Sequence, residues 1–184
     1  MRVLVKGAGV AGLTVAYELA SRGAAVTVCE VRPEIGHNAS WLAGGMLAPW
    51  CERESAERAV VTLGSGAADW WEAVLPGHVA RTGTLVLAHA RDAPELARFS
   101  ARTENHRRLS VEDIANLEPD LAGRFRHGLL FAEEAHLDPR RAMEALAREL
   151  NAKGIAFRFG DEQVSPSGFD RIIDCTGIAS PDPD

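Results

Sequence analysis

Apolar positions along the 184-residue chain change their period several times, and each change marks an element. Residues 2–6 (Arg-Val-Leu-Val-Lys) form a short apolar run of the kind a buried parallel strand uses, ending at Gly7. From Gly12 the period becomes helical. Leu13, Ala16, Tyr17 and Ala20 fall at i, i+3, i+4 and i+7, and Gly23 stands where a helix-ending glycine is expected. A second apolar run, Ala25 to Cys29, ends at Glu30. Strand, glycine turn, helix and strand within about 30 residues make a βαβ unit.

Residues 36–50 carry neither period, yet they are apolar and glycine-rich, which predicts a buried connector rather than a surface loop. Residues 55–75 read as helical, weakened by Gly64 and Gly66 at about 1 kcal/mol each relative to alanine. Residues 83–88 predict a strand, Asp92 to Arg107 a solvated helix, and Ser110 with Asp113 a capping box that opens a helix stopping at Glu118-Pro119. Gly128 to Phe131 is another strand. Asp138 and Pro139 then supply the N-cap and first residue of a helix, with Met143, Leu146, Ala147 and Leu150 on its buried face and Gly154 as its stop. Strands follow at 155–159 and 169–174, the last running into Cys175-Thr176-Gly177. This order predicts a doubly wound α/β fold: residues 1–77 and 136–184 form a Rossmann-like nucleotide-binding domain, and 78–135 an inserted strand-rich part. Pro181-Asp182-Pro183-Asp184 has no element to tie it down.

Composition narrows the function classes. Twenty basic against twenty-six acidic side chains give a net charge of −6, which offers no footprint for nucleic acid and no polybasic membrane patch. No apolar run reaches membrane-spanning length, and Lys6 with the following glycines breaks the hydrophobic core a signal peptide needs. Cys29, Cys51 and Cys175 are an odd set without CxxC or CxxH spacing, which argues against a disulfide framework and a metal site. A cytoplasmic protein without metal is expected.

The chemistry concentrates in Gly7-Ala8-Gly9-Val10-Ala11-Gly12, a GxGxxG that follows a strand and opens a helix, with Glu30 closing the next strand. Gly7 allows the tight turn, Gly9 lets backbone approach a pyrophosphate, and Gly12 lets the helix pack closely. The helix N-terminus presents N–H groups and partial positive charge to phosphates. Glu30 suits a ribose diol, favouring an unphosphorylated 2′ position. An NAD-type fold would continue quickly into another helix and strand; the small residues Ala43-Gly44-Gly45-Met46 instead suit backbone running beside a flat ring.

Gly7 to Gly12, Glu30, the run Ala39-Ser40-Trp41-Leu42-Ala43-Gly44-Gly45-Met46-Leu47-Ala48-Pro49 and Asp174-Cys175-Thr176-Gly177 resemble the D-amino-acid-oxidase-type flavoproteins over the entire chain. Within them, Gly-Gly-Met-Leu-Ala-Pro is most similar to the glycine oxidases of thiamine biosynthesis. The resemblance implies FAD as cofactor. Val10 and Ala11 would lie by its pyrophosphate, Glu30 and Val31 by the adenosine ribose, Ala39 and Ser40 by the phosphate and ribityl region, and Gly44, Gly45 and Met46 by the isoalloxazine. Val164, on the strand after the 138–153 helix, would offer backbone to the adenine end, and Gly177 would pass close to the cofactor.

It also implies oxidation of glycine or another small amine or amino acid to an imine with release of hydrogen peroxide, without a side chain acting as acid or base. Members of the family are roughly twice this length, and their second half supplies the groups that clamp the substrate carboxylate. The resemblance therefore implies a chain that is C-terminally truncated or completed by a partner that supplies the second half, and the apolar surface left uncovered makes a homo-oligomer a further expectation. A cofactor-binding fragment without activity of its own and another amino-acid oxidase or dehydrogenase of the same fold are the competing readings. Other candidates have plainer explanations: His136 as a loop residue, His37 as part of a turn, Cys51 and Cys175 as packing. Trp41 reads equally as a flavin shield or as core.

Overall fold

The computed structural model describes residues 1–160 and 164–179. In chain order the elements are β1 (Arg2–Lys6), α1 (Val10–Ser21), β2 (Ala25–Glu30), β3 (Met46–Leu47), α2 (Pro49–Glu52), α3 (Arg58–Gly64), α4 (Ala67–Val74), β4 (Val79–Ala80), β5 (Thr84–Leu87), α5 (Ala93–Arg102), β6 (Arg107–Leu109), α6 (Val111–Leu117), β7 (Gly128–Phe131), β8 (Ala135–Leu137), α7 (Pro139–Ala152), β9 (Ala156–Phe159) and β10 (Arg171–Asp174). They sort into two compact units, one of residues 1–44 and 138–184, the other of 45–137. The packing boundary thus falls at Gly44/Gly45, ahead of the boundary after residue 77 expected from the sequence.

The first unit is a four-stranded parallel sheet in the order β10-β1-β2-β9. Val3, Leu4 and Val5 of the central strand and Val28 of its neighbour are fully buried. Helix α1 packs against β1, β2 and α7, and buries Gly12, Leu13 and Ala16. Helix α7 buries Ala142, Met143, Ala145, Leu146 and Leu150. Leu4 and Cys29 meet Val164 and Phe169 in a separate cluster, so the segment 164–169 packs against the two central strands. The start of α7 follows its sequence signature: Asp138 Oδ1 accepts the N–H groups of Arg140 at 3.0 Å and Arg141 at 3.2 Å.

The second unit holds two three-stranded antiparallel sheets, β3-β8-β4 and β5-β7-β6. Its core gathers Leu96, Leu129 and Phe131, flanked by Trp50, Val86 and Phe99. Ser110 and Asp113 close the capping box at the start of α6. Glu134, on the β7–β8 turn, is 1% exposed, and its Oε1 accepts the Cys51 N–H at 2.7 Å, capping a helix whose own N-cap, Ala48, has no side-chain acceptor.

Several expectations are corrected. The helix read over 55–75 is two helices, broken at residues 65–66 between Gly64 and Ala67. The charged stretch to Arg107 ends as helix at Arg102, and its last residue already belongs to β6, where an edge position keeps the arginines in water. The 36–50 connector is not buried throughout: Leu42 is 75% and Met46 52% exposed. His136 lies on β8 rather than in a loop. Val164 follows β9 outside any strand, buried against Leu4 and Cys29. Residues 181–184 lie outside the described residues.

Candidate nucleotide-binding site

The carboxyl ends of β1, β2 and β10 open into a cavity of about 470 Å³ in the first unit. It sits where β1 parts company with its neighbours: β2 follows it through α1 on one side, while β10 returns on the other. Open α/β sheets bind their ligands at such a switch point.

The glycine turn forms one wall. Gly7 has φ +94, and a Cβ there would stand 2.6 Å from the Cys175 carbonyl oxygen. The Gly7 N–H donates to the Cys29 carbonyl and the Cys175 N–H to the Lys6 carbonyl, each at 2.8 Å, locking the turn between both neighbouring strands. A Cβ at Gly12 would fall 1.8 Å from the Gly7 carbonyl oxygen, so only glycine lets α1 start this close to its own turn. Gly9 is the N-cap of α1; a Cβ on it would point at Ser40, 3.3 Å from Oγ. Ser40 Oγ accepts the Val10 N–H at 3.0 Å. The N–H groups of Ala11 and Gly12, in the first turn of α1, have no intrahelical acceptor by geometry.

Glu30 is buried, 5% exposed, and its carboxylate is already engaged. Oε2 accepts the Ala8 N–H at 2.9 Å; Oε1 accepts the Arg32 N–H at 3.1 Å and the Arg32 guanidinium at 3.2 Å. Glu30 therefore braces the glycine turn as well as lining the cavity, and its remaining lone pairs are what a ribose would meet. At the end of β10, Asp174 Oδ1 accepts both the N–H and the hydroxyl of Thr176, at 2.9 and 2.5 Å. Burial and the adjacent Asp174 carboxylate raise the pKa of Cys175, keeping it a thiol rather than a nucleophilic thiolate.

Of the residues singled out from the sequence, Gly7, Gly9, Val10, Ala11, Glu30, Val31, Ala39, Ser40, Val164 and Gly177 line this cavity. Gly12 lies buried beneath the turn. Gly44 is the last residue of the first unit, and Gly45 and Met46 belong to the second, where Met46 pairs with His136. Trp41 is half-buried and packs locally. Its ring covers Gly36, its carbonyl accepts the Arg140 Nε–H at 3.3 Å, and the Arg140 guanidinium stands 6.0 Å from the ring centre.

Sequence reasoning missed Lys6, Cys29, Arg32, Asn38, Asp174, Cys175 and Thr176 as lining residues. Lys6 and Asp174 close strands that neighbour the glycine turn, a signal that strand-end position alone carries. Asn38 had none. Its Nδ2 is buried without a hydrogen-bond partner, a state that costs about 1–3 kcal/mol.

These features fit a dinucleotide: a turn too tight for side chains, free N–H groups at a helix head, a carboxylate at the second strand end, and an orphan donor among them. Comparison with known proteins points the same way. The profile of the family described as FAD dependent oxidoreductase matches residues 2–183. A Rhizobium etli protein bearing the name thiamine biosynthesis oxidoreductase ThiO is 58% identical over 179 residues, covering 97% of this chain and 55% of that protein. A glycine oxidase of Pseudomonas putida is 29% identical over 162 residues, covering 82% of this chain and 43% of its own length. The crystal structure of glycine oxidase from Geobacillus kaustophilus superposes with a TM-score of 0.72 at 24% identity, over 86% of this chain and 47% of that one, a likeness of fold. The chain thus spans about half the length of the curated relatives it matches. Among the described residues, no helix is long and apolar enough to cross a membrane.

Proposed function

Since the chain belongs to the FAD dependent oxidoreductase family, we propose that its cavity holds the adenosine and pyrophosphate of FAD and that the protein it represents oxidises glycine or a similarly small amine or amino acid. The observation that carries the cofactor assignment is the head of α1, where a Cβ at Gly7 or Gly12 would clash with backbone and Gly9, Val10 and Ala11 line the cavity. In this reading Val10 and Ala11 bind the pyrophosphate, Glu30 and Val31 face the ribose, and Ala39 and Ser40 follow the chain toward the ribityl group. Gly44, Gly45 and Met46 lie along the isoalloxazine, while Val164 and Gly177 offer backbone. The first unit is the FAD-binding part, and the second contributes to the substrate side.

Bound there, FAD supplies a two-electron acceptor for an amine C–H bond, with dioxygen as the terminal acceptor and an imine and hydrogen peroxide as products. The work of this chain's residues is to hold and orient. The glycine turn admits the pyrophosphate, and Glu30 keeps that turn in register with β2. The names of the Rhizobium and Pseudomonas relatives support glycine as substrate and thiamine biosynthesis as its setting.

The half-length match favours a second reading, in which these residues bind FAD without turning over by themselves. One experiment separates the readings: reconstitution with FAD, a visible spectrum, and a peroxide assay with glycine. Bound flavin with peroxide supports the oxidase; bound flavin without peroxide supports the binding half. No bound flavin at saturating FAD would refute both.

A further inference from the structure

Asn38 has one satisfied end and one that is not. Its Oδ1 accepts the Trp41 N–H at 3.0 Å, which fixes the orientation of the carboxamide and leaves Nδ2 as the opposite end. Nδ2 is buried without a hydrogen-bond partner. Native chains seldom leave a buried donor so, and an anionic oxygen is the strongest acceptor that can meet it. The nitrogen stands 4.0 Å from the point where a Gly9 Cβ would lie, in the wall of the cavity at the head of α1. On the same turn, Ser40 Oγ accepts the Val10 N–H, the first N–H of the helix and one that a phosphate oxygen takes at such a terminus.

We infer that Asn38 is a binding residue for the pyrophosphate of the cofactor, engaged through an exchange of acceptors. A phosphate oxygen takes the Val10 N–H from Ser40 Oγ, the turn carrying residues 38–42 yields, and Asn38 Nδ2 donates to the phosphate. Ser40, relieved of its acceptor role, is free to donate its own hydroxyl to the same group. No covalent bond changes. The inference rests on the reading of this cavity as the FAD site.

The test is a titration of the full chain and of two variants with FAD, with ADP (pyrophosphate without flavin) and with adenosine (no phosphate). Asn38→Asp keeps size and the Oδ1 acceptor for the Trp41 N–H, but it turns the donor into a negative oxygen. Asn38→Ser removes the carboxamide, Nδ2 donor and Oδ1 acceptor together, leaves a shorter hydroxyl, and adds no charge. FAD and ADP affinities are expected to fall about tenfold or more in Asn38→Asp and several-fold in Asn38→Ser. Adenosine binding should stay as in the wild type, and both variants should keep the nucleotide-free fold, read by circular dichroism. Unchanged FAD and ADP affinity in both variants overturns the role of Asn38 and leaves the FAD site standing. An equal loss for adenosine also overturns it, by marking a collapsed turn rather than a lost phosphate contact. Should Asn38→Asp not fold, Asn38→Ser decides alone. A wild-type chain that binds neither FAD nor ADP overturns the site and the inference together.

Discussion

The Glu30 carboxylate and the Ala8 N–H are 22 residues apart in sequence and 2.9 Å apart in space. One side chain thereby ties the end of β2 to the glycine turn after β1. Removing it leaves a buried N–H without an acceptor and releases the Arg32 guanidinium. Glu30→Ala is expected to lower stability by about 1–3 kcal/mol and to weaken FAD by a similar amount. Chemical denaturation and flavin titration on the same preparation measure both. Unchanged stability would show that the turn holds without its brace.

Gly9→Val aims a branched side chain at Ser40 Oγ, which already lies 3.3 Å from the position of the first added carbon. Flavin retention should disappear while the fold survives, because Gly9 adopts the extended backbone that valine also takes. The absorbance ratio of flavin to protein after gel filtration reads the outcome. Stoichiometric flavin in the variant would contradict the placement of the pyrophosphate.

Asp138→Ala removes the acceptor for two N–H groups at the start of α7. The expected loss is about 1 kcal/mol, or a fall of about 2–4 °C in Tm for a chain of this size. Asp138→Asn should recover most of it. A variant as stable as the wild type would mean that water caps the helix equally well.

Glu134 makes stability depend on pH. Burial raises its folded pKa above the ordinary 4.5, with the carboxylate of Glu52 adding to the effect. A carboxyl group raised in the folded state favours folding most where it is protonated in both states, and that contribution is lost as pH rises through the raised pKa. The neutral amide of Glu134→Gln does not titrate and can still accept the Cys51 N–H. Its melting temperature relative to the wild type should therefore climb from acid toward neutral pH. A difference that stays flat with pH would count against a buried, ionising Glu134.

The first unit was legible because its elements are long enough to show their period. Leu13, Ala16, Tyr17 and Ala20 repeat at helical spacing, and the Asp138-Pro139 pair announces α7 without help from packing. In the second unit the strands at 84–87 and 128–131 could be read as apolar runs, whereas Met46–Leu47 and Val79–Ala80 are two residues each, too short to display alternation. At the site, the glycines and Glu30 could be read because their roles follow from residue type and order. Asn38 could not, since its importance comes from a fixed amide orientation and a burial that arise only after the Trp41 turn has formed. Val164, which the family resemblance puts on the strand after α7, packs beyond the end of that strand, a placement no local residue pattern signals.

The pairing of β1 with β10 sets Lys6 beside Asp174, the early and late ends of the described chain. A ribosome delivers these residues many seconds apart at about 5–20 residues per second. Strand β1 has β2 available almost at once but must wait for its other partner, and Leu4 waits likewise for Val164 and Phe169 to pack against it. The nucleotide cavity, walled in part by the end of β10, is consequently among the last features of this unit to exist. Growth of the chain, rather than the supply of FAD, sets the earliest moment at which the nucleotide can be held.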